Sequence, residues 1–216
     1  MLTKEIQGRT VQFRERTLDE YVYEEVFKRR IYVKHFPVSP GELCVDIGGH
    51  IGMFALFCAL EGAQVHSYEP EKSNFELAVA NLGDLGIVHN VAVVGDDSKI
   101  RRLYLNVAKN TGAHSFLINK RRKTWQDVEC ININDILSKD VDFLKVDTEG
   151  AEVEIFEGIR DFLNIKKIVF EYHFSILKKG SEPYFQLVEL LKGQGFEVFY
   201  NPNPGKNWTA MVHAIR

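Results

Sequence analysis

The chain has 216 residues, of which 45% are hydrophobic and 26% are charged, and its formal net charge is −3. This length and composition are typical of one soluble globular domain, exclude an apolar membrane-spanning run, and argue against bulk nucleic acid as the main partner. The three cysteines have no paired spacing, which excludes a disulfide framework and a cysteine-rich zinc site. Residues 1–10 lack the apolar stretch of a secretory signal, so we expect a cytoplasmic protein.

The first forty residues are predicted to form a helical extension. A helical pattern at 18–30 includes the apolar residues Tyr21, Val22, Val26 and Phe27. Such a helix is expected to pack over the sheet edge or to roof the site. From residue 41 the chain alternates short β-branched runs with helical patterns, which is typical of βαβ units and a parallel sheet. We therefore divide the chain into an extension or lid at 1–40 and an α/β domain at 41–216.

Five runs of this domain are predicted to be strands of the main sheet. They lie at 42–47, 64–69, 89–94, 142–147 and 167–173. Ser73 and Glu76 are predicted to form a capping box at the start of the helix after the second strand. Two further extended runs, 100–107 and 127–133, are interpreted as an added antiparallel pair, with the basic loop Lys120 to Lys123 between them.

The last two strands, at 196–200 and 210–215, are predicted to be antiparallel. The turn from Asn201 to Gly205 that joins them is rich in Asn, Pro and Gly and is too short for a crossover helix. The predicted fold is α/β: a doubly wound, mostly parallel seven-stranded sheet with a C-terminal antiparallel hairpin and a small antiparallel insertion.

The turn after the first strand carries the main ligand-binding signal. It reads DIGGHIG at 46–52 and leads into a helix, so its glycines allow a ligand to approach closely and its free N–H groups favour a negative group. A carboxylate at Asp46 would hinder a pyrophosphate but can reach an ammonium group, directly or through water. Glu69 ends the second strand at about the twenty-residue offset expected of a ribose-binding acid. Glu69 alone does not discriminate between cofactors, whereas Asp46 favours S-adenosylmethionine over a dinucleotide.

Nine residues are predicted to bind the cofactor. They are Asp46, Gly48, Gly49, His50, Gly52, Glu69, Pro70, Asn90 and Ala92. Asn90 and Ala92 are expected to border an adenine ring, with ordinary core packing as the alternative. The alternative for the two acids is that Asp46 caps the following turn and Glu69 lies on a solvated strand end.

These segments resemble the FkbM-type methyltransferases, a family that acts on hydroxyl groups of sugars and polyketides. The matching pieces are VDIGGHIG at 45–52, YEP at 68–70, Asn90 with Ala92 and Val93, residues 112–115, and FLKVDTEGAE at 143–152. They cover roughly residues 40–175, and the last piece is the most specific. The family has Ala and Asn where this chain has Gly49 and His50. Glycine is smaller than the alanine it replaces, so it is expected to fit there. His50 either keeps the hydrogen bond of that Asn or covers the ligand.

The candidate catalytic residues lie at the ends of the fourth and fifth strands. They are Asp147, Glu149, Glu171 and His173. Methyl transfer to an alcohol needs an aligned oxygen, exclusion of water, and a base within hydrogen-bond reach. We predict that Asp147 lies near the methionine end of the cofactor and that Glu149 or His173 is the base. Lys145 pairs with one of the acids or points away from them.

The neighbouring polar residues have weaker signals. Glu152 and Glu154 are predicted to be solvated or to cap the first turn of a helix. His114 is expected to be structural, with Ser115 near the same edge and substrate contact as the alternative. A magnesium ion shared by the strand-end acids is conceivable because it prefers oxygen ligands. No spacing demands such an ion, and we predict no metal.

The predicted function is transfer of a methyl group from S-adenosylmethionine to a hydroxyl of a sugar, a lipid-linked glycan or another small molecule. One alternative is an RNA methyltransferase, suggested by Lys120 to Lys123 and by Arg101 with Arg102, although no Asn-Pro-Pro-Tyr segment is present. The other is an oxidoreductase with a nicotinamide cofactor on the same loop, which Asp46 and the terminal hairpin oppose.

Overall fold

The computed structural model describes residues 1–106, 110–118, 124–174, 181–204 and 208–216. The basic run Lys120 to Lys123, on which the RNA alternative depends, lies outside the described residues. No helix within the described ranges is long and apolar enough to cross a membrane.

The extension begins with a β-hairpin that we did not predict. Strands β1 (Leu2–Ile6) and β2 (Arg9–Phe13) pair antiparallel. A helix α1 (Asp19–Tyr23) follows and continues as a π-helical turn at Glu24–Lys28, within the predicted helical stretch. The burial of Val11 and Phe13 on either side of an outward-facing residue is the period-two pattern of a half-buried strand. The extension is therefore part hairpin and part helix.

The remaining elements alternate as predicted. The strands are β3 (Leu43–Ile47), β4 (Gln64–Tyr68), β5 (Ile87–His89), β6 (Ala92–Val94), β7 (Ile100–Leu105), β8 (Thr124–Asn132), β9 (Val141–Val146), β10 (Ile165–His173), β11 (Glu197–Phe199) and β12 (Thr209–Ile215). The helices are α2 (Met53–Leu60), α3 (Lys72–Leu82), α4 (Ile133–Ile136), α5 (Glu152–Gly158) and α6 (Glu182–Gly193).

The central sheet has seven strands in the order β11-β12-β10-β9-β3-β4-β5. Strands β3, β4, β5, β9 and β10 pair in parallel, and β12 pairs antiparallel with both β10 and β11. The predicted doubly wound, mostly parallel sheet with a C-terminal antiparallel hairpin is confirmed.

The predicted third strand at 89–94 is divided between two sheets. Only its first residue, His89, belongs to β5 (Ile87–His89) at the edge of the central sheet, whereas β6 pairs with β8 in a separate three-stranded sheet that also contains β7. The predicted antiparallel pair is thus the β7–β8 part of a larger insertion. The division falls at Asn90, whose side-chain amide donates to the backbone carbonyls of Glu69 at 2.9 Å and Pro70 at 3.1 Å. These hydrogen bonds fix the chain where it leaves the central sheet.

The start of α3 differs from the prediction. Glu71 is the N-cap, and its carboxylate accepts a hydrogen bond of 2.8 Å from the backbone N–H of Asn74. The predicted capping box of Ser73 and Glu76 is therefore wrong, because the helix begins one residue before Ser73 and a longer acidic side chain fills the capping role.

Residues on opposite faces of the central sheet form two apolar layers. Leu144 and Phe170 face α5 and α6, whereas Phe143 and Val169 face α2 and the extension. Tyr32 of the extension packs its ring 5.3 Å from that of Phe54 on α2. The extension is therefore part of the core that covers one face of the sheet.

Candidate active site

A cavity of about 860 Å³ opens at the carboxyl ends of β3, β4, β9 and β10. Ligands of doubly wound sheets bind at this end, and the volume is within the range of small-molecule sites. The predicted site residues that line the cavity are Gly48, Gly49, His50, Glu69, Pro70, Ala92, Asp147, Glu149, Glu171 and His173. The predicted residues that do not line it are Asp46, Gly52 and Asn90.

Asp46 lies beneath the glycine loop in a buried ion pair. Its carboxylate accepts hydrogen bonds from Lys145 Nζ at 2.8 Å and from Ser67 Oγ at 3.0 Å. Lys145 Nζ also donates to the Gly48 carbonyl at 2.9 Å, so the pair fixes the loop from below. Asp46 is fully buried and does not line the cavity, so in this structure it supports the loop from beneath, and its predicted contact with an ammonium group, directly or through water, stays a prediction.

Electrostatics explain why Lys145 stays charged in the interior. Burial opposes the ammonium form, but the carboxylates of Asp46 and Asp147 outweigh burial and raise the pKa of Lys145. The sequence left open whether Lys145 pairs with an acid or points away, and the structure pairs it with Asp46.

Two glycines are required by close approaches of the backbone. Gly48 has a φ of 82°, and a Cβ there would lie 1.8 Å from the carbonyl oxygen of Asp147. A Cβ at Gly49 would lie 2.1 Å from Ser67 Oγ. The hydroxyl of Ser67 therefore occupies the space that an alanine methyl group would need, which gives a physical reason for glycine at position 49.

Glu69 directly follows β4 at the cavity wall and is only 6% exposed. One carboxylate oxygen accepts the backbone N–H of His50 and the other accepts that of Glu71, both at 2.8 Å. Burial raises the pKa of Glu69 to about 7, although these two hydrogen bonds act in the opposite direction. Asn90, predicted to border an adenine ring, instead points its amide at the backbone beside Glu69, while Ala92 does line the cavity.

His50 connects the glycine loop to the extension. Its Nε2 lies 3.1 Å from the Arg14 guanidinium and 3.1 Å from Thr111 Oγ1. Arg14 in turn donates to the buried carboxylate of Asp19 at 2.9 Å, and Thr111 Oγ1 donates to the same carboxylate at 3.0 Å. Burial lowers the pKa of His50 to about 4, so the imidazole is neutral at physiological pH. We did not predict Arg14, Asp19 or Thr111, because no local motif links them.

His173 lies at the centre of a group of carboxylates. Its Nδ1 is 3.0 Å from Glu152 Oε1. Its Nε2 lies 3.6 Å from Glu149, 3.8 Å from Asp147 and 4.0 Å from Glu171. Burial disfavours the charged ring, but Glu152 and the other carboxylates outweigh burial and raise the pKa of His173 well above its usual range. A charged imidazolium has no lone pair to accept a proton, which favours Glu149, and the choice between Glu149 and His173 as the base stays a prediction.

Glu152 differs from its prediction. It is fully buried and accepts hydrogen bonds from the backbone N–H groups of Thr148 at 3.1 Å and Gly150 at 3.0 Å, as well as facing His173. A solvated position is therefore wrong, because His173 on the neighbouring strand supplies a charged partner. Glu154 is partly exposed and binds Arg101 at 2.8 Å, away from the cavity.

Glu149 and Glu171 complete the charged wall of the cavity. Glu149 has a φ of 56°, which is uncommon for a residue with a side chain, and Ser115 Oγ donates to its backbone carbonyl at 2.6 Å. Burial and the nearby charge of Asp147 raise the pKa of Glu171 to about 7. His114 also lines the cavity, and its Nδ1 accepts the backbone N–H of Asn106 at 3.0 Å.

A side chain of the extension forms a hydrogen bond with this wall. The Tyr32 hydroxyl donates to Asp147 Oδ2 at 2.8 Å, and Tyr32 is itself buried. Glu25 and Tyr21 of the extension line the same cavity. We predicted a roof from this region but not a hydrogen bond to Asp147, since the two residues are separated by 115 positions in the chain.

Residues 46–198 match the family described as Methyltransferase FkbM domain. The chain is 26% identical over 228 positions to the 31-O-demethyl-FK506 methyltransferase FkbM of Streptomyces tacrolimicus, covering 86% of this chain and 84% of that protein. Its fold is similar to that of precorrin-6y C5,15-methyltransferase from Geobacter metallireducens, with a TM-score of 0.52, 10% identity and coverage of 95% and 93%. It is also similar to the Methanococcus jannaschii fibrillarin pre-rRNA processing protein, with a TM-score of 0.55, 12% identity and coverage of 99% and 81%.

Proposed function

The chain belongs to the FkbM methyltransferase family, and we propose that it transfers a methyl group from S-adenosylmethionine to a hydroxyl oxygen of a small organic molecule. The observation that best supports this proposal is the cavity itself, in which the family's glycine loop and a group of carboxylates share one wall. The first feature suits a nucleoside cofactor and the second suits proton removal from an alcohol.

The residues of this cavity fit S-adenosylmethionine. Glu69 follows β4 with a buried carboxylate that would hold the ribose hydroxyls. Ala92, Val93 and Leu103 form an apolar wall that would border the base. The backbone of Gly48 and its neighbours would meet the amino-acid part. When bound, this cofactor supplies a sulfonium methyl group that is already activated for displacement.

The chain's own residues would align the acceptor and remove its proton. The acceptor oxygen forms a bond to the methyl carbon as the carbon–sulfur bond breaks, and the proton of the hydroxyl moves to a carboxylate oxygen of Glu149. Glu149 suits this role because it is a carboxylate that lines the cavity, 3.6 Å from His173 Nε2. Asp147 is held by the Tyr32 hydroxyl and would orient the acceptor beside it.

The rim of the cavity supports an organic acceptor with an apolar surface. Trp208 is 78% exposed, Ile118 is 71% exposed, and both line the cavity. The Streptomyces relative is named for an O-demethyl substrate, which supports oxygen as the accepting atom. The RNA alternative has less support, because the carboxylates of Glu25, Glu149 and Glu171 would repel a polyanion. Membership of a methyltransferase family argues against the nicotinamide alternative.

The test is transfer of label from S-adenosylmethionine to a panel of sugars, glycolipids, polyketide-type alcohols and RNA. We expect product with a hydroxyl-bearing small molecule, and a loss of turnover of about a hundredfold or more in Glu149→Gln. Adenosylhomocysteine binding, measured by calorimetry, should change little in this variant. Glu154→Gln is the matched control, because Glu154 is an acid of the same segment that binds Arg101 outside the cavity. Label found only on RNA, or near-normal turnover of Glu149→Gln, would contradict the proposal.

A further inference from the structure

The Nε2 atom of His173 is directed at carboxylates that it does not contact closely. His173 is 4% exposed, and its Nδ1 is held by Glu152 at 3.0 Å, which fixes the orientation of the ring. Among the described residues no hydrogen bond to Nε2 is present, and the nearest oxygens of Asp147 and Glu171 lie at 3.8 Å and 4.0 Å. These distances are too long for hydrogen bonds.

The same three side chains lie close enough to become ligands of one metal ion if they move slightly toward it. The ligand atoms of Asp147, Glu171 and His173 all lie within 4.8 Å of one another. Ligands at about 2.1 Å from a small divalent ion are about 3 Å apart when adjacent and about 4.2 Å apart when opposite. A histidine that ligates a metal through one nitrogen usually gives its other N–H to a carboxylate, which is the arrangement of His173 with Glu152.

The charges of the cluster also favour a cation. Asp147, Glu149 and Glu171 face Nε2, while Glu152 already balances the ring through Nδ1. The carboxylates therefore outnumber the positive charges around Nε2. A divalent ion that replaces the Nε2 proton would reduce this repulsion.

We propose that Asp147, Glu171 and His173 form a binding site for a single divalent cation of the Mn²⁺ and Mg²⁺ class. We predicted no metal from the sequence, because the three ligands come from the ends of two strands and show no ligand spacing along the chain. Three protein ligands leave other coordination positions open to the cavity. If the proposed function holds, those positions suit an acceptor whose hydroxyl has a second oxygen beside it, such as a vicinal diol.

The first experiment measures Mn²⁺ binding to the full chain after treatment with a chelator, in the absence of cofactor and acceptor. We expect one saturable Mn²⁺ per chain by electron paramagnetic resonance. Glu171→Gln and His173→Gln should each weaken Mn²⁺ binding by about tenfold or more. Glu25→Gln is the matched control, because it removes one negative charge from the same cavity wall without removing a ligand, and it should change affinity by less than about threefold. Circular dichroism spectra identify any variant that fails to fold, and Glu171→Gln keeps the size of the side chain.

Absence of saturable Mn²⁺ binding at millimolar concentrations would overturn the site, and so would an equal loss of affinity in Glu25→Gln. The activity assay separates this proposal from the proposed function. Mn²⁺ binding with no methyl transfer to any acceptor would support the site and contradict the proposed function. Full activity of the chelator-treated enzyme would support the proposed function and overturn a role of the ion in acceptor binding.

Discussion

The two ends of the cavity satisfy their charged groups in different ways. At the end formed by β3 and β4, each buried acid has close partners: Asp46 binds Lys145 and Ser67, and Glu69 accepts two backbone N–H groups. At the end formed by β9 and β10, several carboxylates surround the single ring of His173, most of them at 3.6–4.0 Å. The first end is preorganised without a ligand, whereas the second end has an excess of negative charge that a ligand would neutralise. Under the proposed function, cofactor binding and chemistry would thus be separated along one cavity.

The largest effect on stability is expected at the end formed by β3 and β4, where Lys145 neutralises Asp46. Lys145→Met leaves the fully buried carboxylate of Asp46 without its cation, so we expect the free energy of unfolding to fall by about 3–5 kcal/mol in urea denaturation. The double variant Asp46→Asn with Lys145→Met should recover much of that loss, because no buried charge is then unpaired. A loss below about 1 kcal/mol in the single variant would show that the pair does not support the loop.

An intermediate effect is expected from the pH dependence of stability at Glu69. Its pKa is raised to about 7 in the folded protein, so folding retains a proton that the unfolded chain releases near pH 4.5. The stabilising contribution of the protonated form is full below pH 4.5 and is lost as the pH rises through 7. Between pH 5 and pH 8 we expect the wild type to lose about 2 kcal/mol more than Glu69→Gln. If the free energy of unfolding had the same pH dependence in the wild type and in Glu69→Gln, this explanation would be contradicted.

The smallest effect concerns the second end. Tyr32→Phe removes the hydroxyl that donates to Asp147, and we expect kcat to fall by about tenfold while stability changes by about 1 kcal/mol. Affinity for adenosylhomocysteine should stay within about twofold, since the hydroxyl that is removed donates to Asp147 and the ring is retained. Tyr21→Phe is the control, because Tyr21 lines the cavity at its exposed rim. Equal kinetic losses in the two variants would show that Tyr32 has no specific role.

The central sheet could be predicted because its signals are local. Short β-branched runs, the glycine loop after β3 and the turn before β12 each depend on neighbouring residues, and the mostly parallel sheet with its C-terminal antiparallel hairpin followed from them. The β1–β2 hairpin was missed although the alternation of Val11 and Phe13 with exposed residues was visible in the chain.

The site could be predicted only in part, because its decisive contacts are distant in sequence. The strand-end acids were located correctly at one wall of the cavity, but the local rule for a helical first turn misassigned Glu152, whose environment depends on His173 of another strand. Asp46 was recognised as important, yet its partner Lys145 lies 99 positions away. No sequence motif indicated the hydrogen-bond network of Arg14 and Asp19.

The hydrogen bond from Tyr32 to Asp147 has a consequence for how such enzymes diversify. The extension lies outside residues 46–198, the part that matches the family, but it closes the acceptor side of the cavity with its own side chains. Substitutions at positions such as Tyr21 and Glu25 leave the ion pair under the glycine loop intact. Under the proposed function, we therefore expect substitutions there to change which acceptor binds at little cost in the free energy of unfolding, without disturbing the nucleoside end of the same cavity.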